Sequence, residues 1–414
     1  MDVNSEKIKE MVKEKFLRYV QVWTTSDSEL AETQTPSTER QWDLLKMLEK
    51  ELKELGVKDI DLNEKGYLIG RIPSNLEKDV PVIGFMAHVD TAEDASGENI
   101  LAQVHQNWDG SPIKLKNNVV LDEVSAVQMS RFKGETIITS DGTTLLGADD
   151  KAGIAEIMTA VELLMADPAI PHGGLEVIFT PDEETGCGMD NFPLKKIQSQ
   201  FCFTFDGGIE GELELECYNA WRCDLSFKGN VIHPGYARGK LVNAVTMASQ
   251  FVSLLPRNES PEATDGRFGN YWANSIKGGL DAAEVSVMIR DFSEEEGQRR
   301  LEGIRSFAKA VEASFPGGTV ALTVKEQYKN MKTTLDKYPE LETHMLQAYK
   351  KARVEPELCP IRGGTDGARL TAMGIPTPNV FAGGMNFHSV REWIPLSSMD
   401  KAVRVILALI DSWV

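Results

Sequence analysis

Apolar and polar positions follow two rhythms along this chain, and their alternation predicts an α/β protein. Helical spacing runs through Glu39–Leu55 and Lys151–Met165, and residues 1–20 read as a charge-dense amphipathic helix. Short apolar runs at Val80–Ala87, Leu175–Thr180, Phe201–Phe205 and Asn379–Ala382 read as buried strands, each cut short by Gly, Pro or acidic residues. Beyond Tyr218 the pattern changes. It predicts a strand (Ala220–Lys228), a helix (Lys240–Leu255), two strands (Asn270–Ile276 and Ala283–Asp291), a helix (Ser293–Phe315) and a last strand (Thr319–Lys325). That order, βαββαβ, is the layout of a compact two-layer domain. The economical organisation is a larger domain built from 1–218 and 326–414, a mostly parallel sheet flanked by helices, with 219–325 inserted into it.

Length agrees with this division, since 414 residues exceed one ordinary domain. Charge narrows the partners. The chain carries 44 Lys and Arg against 63 Asp and Glu, a formal charge of −19. Such a surface repels phosphate backbones and anionic lipid, so neither nucleic acid nor a membrane is expected as a partner. Aromatic residues, at 7%, offer no stacking platform for bases. The N-terminal segment has no apolar core of the signal-peptide kind, and no run of about eighteen apolar residues occurs. Five cysteines without CxxC spacing argue against a disulfide framework and for a reducing, cytoplasmic setting.

The chemistry lies where the strands end. His88 and Asp90 close the run VPVIGFMAHVD, and Asp149 and Asp150 stand in LLGADDKAG before a helix. Glu183 and Glu184 follow a strand in GLEVIFTPDEETG, Asp206 follows FCFTF, and His388 lies beyond NVFA in GGMNFHS. Alone, each has an ordinary explanation: a structural histidine, a helix cap, a solvated loop, a turn. Together they bring His or carboxylate from separate segments to the carboxyl edge of one sheet, where α/β proteins bind ligands. Imidazole and carboxylate without thiolate suit Zn²⁺ or its neighbours in hydrolysis. Two such cations need a shared anionic ligand to screen their repulsion. Three carboxylates and two neutral imidazoles leave a residual positive charge that favours deprotonated water. One carboxylate must stay off the metals as general base. The pair Glu183–Glu184 provides one ligand and one base, and spacing does not say which is which; nor does it choose between Asp149 and Asp150. Asp90, two residues from His88 on an extended strand, can accept the second imidazole N–H.

The stretches PSTERQW, IGFMAHVDT, TTLLGADDKAGIAEIMTA, FTPDEETG, FDGGIEGELE, VIHPGYARG, VMIRDF, EPELCPIRGGTDGARL and GGMNFH occur in order from about residue 35 to the C-terminus. In this the chain resembles the dinuclear zinc exopeptidases, the family that includes carboxypeptidase G and aminoacylase. The resemblance implies an aminopeptidase acting on tripeptides and holding two Zn²⁺, with Co²⁺ or Mn²⁺ as substitutes. It implies that His88, Asp149 and Asp206 serve one metal, and that Asp149 bridges to a second held by Glu184 and His388. It further implies Glu183 as general base and Asp90 as the partner of His88. The inserted domain would be a lid and dimerisation domain, giving a homodimer. His233 would meet the oxyanion, and Arg290 and Arg362 the substrate's carboxylate. Arg40, Met385 and Ser389 depart from the family pattern, and Gln21–Thr35 matches it poorly. A dipeptidase, a carboxypeptidase, an N-acyl amino acid hydrolase and a non-catalytic peptide-binding protein are the competing readings.

Overall fold

The computed structural model describes residues 4–414. The chain forms two compact units, one of residues 1–215, 333–359 and 365–414, the other of 216–332 with 360–364. Relative to the expected limits, the second unit gains the end of its last strand, which runs to Tyr328, and the separate segment 360–364.

The first unit is built on an eight-stranded sheet. Its order is Asp59–Leu62, Leu68–Ile72, Leu175–Thr180, Ile83–His88, Phe201–Gly207, Asn379–Phe381, Glu212–Cys217 and Glu357–Ile361. The strands from Leu175–Thr180 to Asn379–Phe381 are parallel, so their carboxyl ends share one edge. In register, His88 pairs with Thr180 and Met86 with Thr204. Continuing that offset brings His88 level with Asp206, and Glu183 and Glu184 follow just past Thr180. Both faces of the central strands are covered, and all six residues of Ile83–His88 and of Leu175–Thr180 are buried. Continuous apolar runs, rather than alternating ones, are what two-sided burial requires.

Helix Ala148–Ala166 is the central one and is buried on nearly every side; Asp149 and Asp150 are non-helical, so its regular turns begin at Lys151, as the periodicity predicts. Helix Ser5–Tyr19 packs on it through a stripe of Ile8, Val12, Phe16 and Tyr19. The expected helix start within residues 1–3 lies outside the described residues. Gly153 allows the central helix to reach the sheet. A Cβ at that position would fall 2.0 Å from the carbonyl oxygen of Phe205 and 2.5 Å from Oδ1 of Asp150. The approach thus brings the start of this helix directly against the strand carrying Asp206.

The second unit shows the predicted βαββαβ order. Its antiparallel sheet runs Asn270–Gly278, Ala282–Asp291, Asn219–Lys228, Thr319–Tyr328. Trp221, Cys223, Leu225 and Phe227 alternate inward against Phe251 and Ile304 of helices Ala244–Leu254 and Glu294–Ser314. Asn243 and Ser293 cap those helices with side-chain acceptors. Among the described residues no helix is long and apolar enough to cross a membrane, and none of the five cysteines is in a disulfide.

Gly153→Ala tests the close approach. Helix propensity alone favours Ala by about 1 kcal/mol, whereas overpacking against a main-chain oxygen costs about 1–3 kcal/mol or more. The expected result is a lower midpoint in chemical denaturation, and a raised midpoint would disprove the packing argument.

Candidate metal centre

Asp149 occupies the middle of the site. Its Oδ1 lies 2.9 Å from Nε2 of His88, and its Oδ2 lies 3.2 Å from Nε2 of His388. On the His88 side, Oδ1 of Asp206 is 3.5 Å from the same Nε2. On the other side, Oε2 of Glu184 is 2.9 Å from Nε2 of His388. All five residues come from different segments of the first unit. Donor atoms of His88, Asp149 and Glu184 lie within 4.8 Å of one another, as do those of His88, Asp150 and Asp206.

The members of the two acidic pairs that spacing left ambiguous differ in their contacts. Asp150 is fully buried and its carboxylate accepts the N–H groups of His88 (3.2 Å) and Gly153 (3.3 Å). It therefore caps the continuing helix, while Asp149 faces the imidazoles. Both residues have non-helical dihedrals inside the first turn. Within the other pair, Glu184 turns to His388. No hydrogen bond holds the carboxylate of Glu183 among the described residues. Asp90 binds both main chains, its oxygens accepting the N–H of Glu183 (3.0 Å) and of Glu184 (3.2 Å). Nδ1 of His88 is 3.0 Å from the main-chain oxygen of Asp90 and 3.4 Å from its carboxylate, so the shorter contact is to the backbone.

Protonation follows from this crowding. Burial alone would lower His88, but the bonds to Asp149 and Asp206 hold its imidazole well above the usual value. Bonds to Asp149 and Glu184 push His388 up to about 11. Burial raises carboxyls; at Asp149 the two imidazoles overcome it and hold the group below the usual range. Glu184 is pushed up to about 8 by burial and then by the charge of Asp149, and Asp206 to about 6, mainly by burial. Burial and the charge of Asp206 raise Glu183 well above the carboxylate range. The set has more anionic positions than its surroundings can neutralise. Divalent cations are its natural complement, and Oε1 of Glu184, buried without a hydrogen-bond partner, is a donor atom of the kind such an ion would use.

Four supporting residues escaped the sequence reading. Glu392 accepts the N–H groups of Leu146, Gly147, Ala148 and Asp149. Asp182, at φ 59, receives the N–H and hydroxyl of Ser37 and the amide of Gln41, and so fixes the loop of Glu183. Asp94 lies 3.3 Å from Nδ1 of His388. Buried Asp366 carries a carboxyl pushed up to about 7 by burial. The segment PSTERQ held a signal for the second of these, because its Ser37 and Gln41 are the donors; the other three had none. Arg40, at the unusual position, stacks over Trp23 at 4.0 Å.

The remaining candidates lie in the second unit. His233 is exposed, and its Nδ1 accepts the N–H of Gly235 at 3.1 Å. Arg290 packs over the ring of Tyr328 and donates to the carbonyl of Ile289. Arg362, expected at the substrate's carboxylate, donates within its own unit. Its Nη1 donates to the carbonyls of Gly266 and Phe268, and its Nη2 to the carbonyl and hydroxyl of Thr264. Both ends of the guanidinium are thus committed to bracing that loop.

Comparison with known proteins agrees with this geometry. The model of the peptidase family M20/M25/M40 matches residues 130–412. Peptidase T of Clostridium perfringens strain 13 is 46% identical over 399 residues, covering 96% of this chain and 98% of that protein. Peptidase T of Listeria welshimeri is 44% identical over 402 residues, covering 97% and 98%. Among solved structures, aminopeptidase PepT from Bacillus cereus superposes with a TM-score of 0.75 at 24% identity, over 98% of both chains. A dinuclear metal-binding peptidase of the M20 family from Bacillus subtilis superposes with a TM-score of 0.65 at 16% identity, again over 98% of both. These two likenesses establish the fold, and the sequence matches go further. The chain belongs to the peptidase family M20/M25/M40, as a metallopeptidase similar to peptidase T.

Proposed function

We propose that this metallopeptidase removes the N-terminal residue from tripeptides, with two Zn²⁺ held by His88, Asp149, Asp206, Glu184 and His388 and with Glu183 as general base. The observation that carries the reading is Asp149, which presents one oxygen to each imidazole. Asp149 would be shared by the two cations, with His88 and Asp206 holding one and Glu184 and His388 the other. The all-nitrogen-and-oxygen donor set suits Zn²⁺ and accepts Co²⁺ or Mn²⁺. Bound there, the two cations would supply Lewis acidity to the scissile carbonyl and acidify water.

The chain's own residues do the rest. Glu183, unencumbered by hydrogen bonds, takes the proton of the attacking water and delivers it to the leaving amide nitrogen. One water is consumed, the C–N bond breaks, and a C–O and an N–H bond replace it. Asp90 holds the main chain of Glu183 and Glu184 and the ring of His88, keeping base and ligands in register. By the resemblance, His233 would meet the developing oxyanion. Arg290 keeps guanidinium donors for the peptide's terminal carboxylate. Cleavage from the amino end is supported by the similarity to peptidase T over nearly the whole chain. A cytoplasmic setting fits five cysteines without a disulfide among them. A homodimer through the second unit fits exposed Trp272 and Ile276 on its edge strand.

Three measurements test this function. Glu183→Gln is expected to retain two cations per chain by elemental analysis while turnover falls beyond the ~10²–10⁴ of a typical acid–base group. Retained turnover would remove Glu183 from the mechanism. Acetylating the amino terminus of a good tripeptide should abolish its cleavage; equal rates on both forms would point to an N-acyl hydrolase instead. A chelator should stop turnover and added Zn²⁺ or Co²⁺ should restore it, whereas indifference to chelation would exclude the metal reading.

A further inference from the structure

Glu392 lies on the loop that carries His388 and reaches the turn that carries Asp149. Its carboxylate is buried. Oε2 accepts the N–H groups of Leu146 (2.7 Å) and Gly147 (2.8 Å), and Oε1 those of Ala148 (2.6 Å) and Asp149 (3.2 Å). Residue 147, a glycine at φ 78, provides no side-chain cap of its own. Helix starts leave N–H groups without intrahelical partners and attract anions. Here the anion is a side chain of the neighbouring loop.

That loop is itself closed. Met385 and Trp393 exchange main-chain bonds of 2.9 and 3.1 Å. Nδ2 of Asn386 donates to the carbonyls of Ser125 and Arg391, and the hydroxyl of Ser389 donates to the carbonyl of Asn386. Trp393 is buried and pairs in register with Thr139. With the loop pinned at its base, the grip of Glu392 ties the main chain of Asp149 to the segment that holds His388, four residues away.

We infer that Glu392 is a positioning residue: its four main-chain bonds set the spacing between Asp149 and His388, and through it the affinity for the second cation. The inference rests on the proposed reading of those two residues as ligands. Glu392→Gln keeps the shape and one acceptor oxygen but turns an NH₂ group toward two N–H donors. The turn then meets a donor instead of an acceptor, and the distance from Asp149 to His388 is no longer fixed.

The test is titration of metal-free enzyme with Co²⁺, by calorimetry and by the visible spectrum of the bound ion. Glu392→Gln is expected to bind the first ion much as the wild type does and the second 10–100-fold more weakly. Its doubly loaded spectrum should be altered, and turnover should recover at higher Co²⁺ with little change in KM. Wild-type affinities for both ions in the folded variant would overturn the inference, even if its metal-free form melted earlier. Should the Gln variant fail to fold, Glu392→Asp retains the charge one methylene short. It should weaken the second ion in the same way, and unchanged affinity there would be equally fatal. The wild-type titration separates the two levels of the argument. Fewer than two ions bound would defeat the reading of the site, whereas two ions bound with unaltered variants would defeat only the role of Glu392.

Discussion

Charge crowding at one rim is the constraint that orders this molecule. Asp90, Asp149, Asp150, Glu183, Glu184 and Asp206 gather around two imidazoles where the parallel strands end. Two like charges 4 Å apart repel by about 4 kcal/mol at an effective dielectric constant of 20. A few such pairs equal the whole stability of a typical domain, about 5–15 kcal/mol. The fold answers with main-chain donors. N–H groups of His88 and Gly153 meet Asp150, those of Glu183 and Glu184 meet Asp90, and four from one turn meet Glu392. Carboxylates satisfied in this way become fixed scaffolding. Those left facing imidazole or open space are the ones available for chemistry.

The architecture was legible wherever burial writes a pattern. Two-sided burial produced the apolar runs of the central strands, and Leu175–Thr180 was read to the residue. The order of the inserted unit followed from alternation in strands and 3.6-residue spacing in its helices. Strand ends drifted by a few residues, because a strand stops where its partner stops. Thr319–Tyr328 continues past Lys325 along the strand it pairs with, up to Ala220 opposite Tyr328. The segment 360–364 gave no hint of its allegiance. Its tie to the second unit is the guanidinium of Arg362, whose partners are carbonyl oxygens nearly a hundred residues away.

The site was legible as a set of residues and illegible as a set of roles. Asp149 and Asp150 are chemically identical neighbours, and only backbone dihedrals decide which one turns inward. Glu183 and Glu184 differ in the same way. Long-range braces were hidden for a different reason. A Glu in VREW looks like any surface acid until folding brings it to the N–H groups of a turn some 245 positions earlier in the chain. Asp182, by contrast, sat beside a recognisable motif. What it needed was the knowledge that Ser37 and Gln41 arrive as its donors.

The tight seat of Gly153 has an implication for how such an enzyme diversifies. With its backbone against the Phe205 carbonyl and neighbours on nearly every face, the central helix has no room to shift. The start of this helix, Asp149 included, is thereby held close to the strand that carries Asp206. Novel preferences for one peptide over another must instead be composed at the periphery. There Trp23 and Arg40 lie stacked, and Met385 and Ser389 lie on the loop of His388.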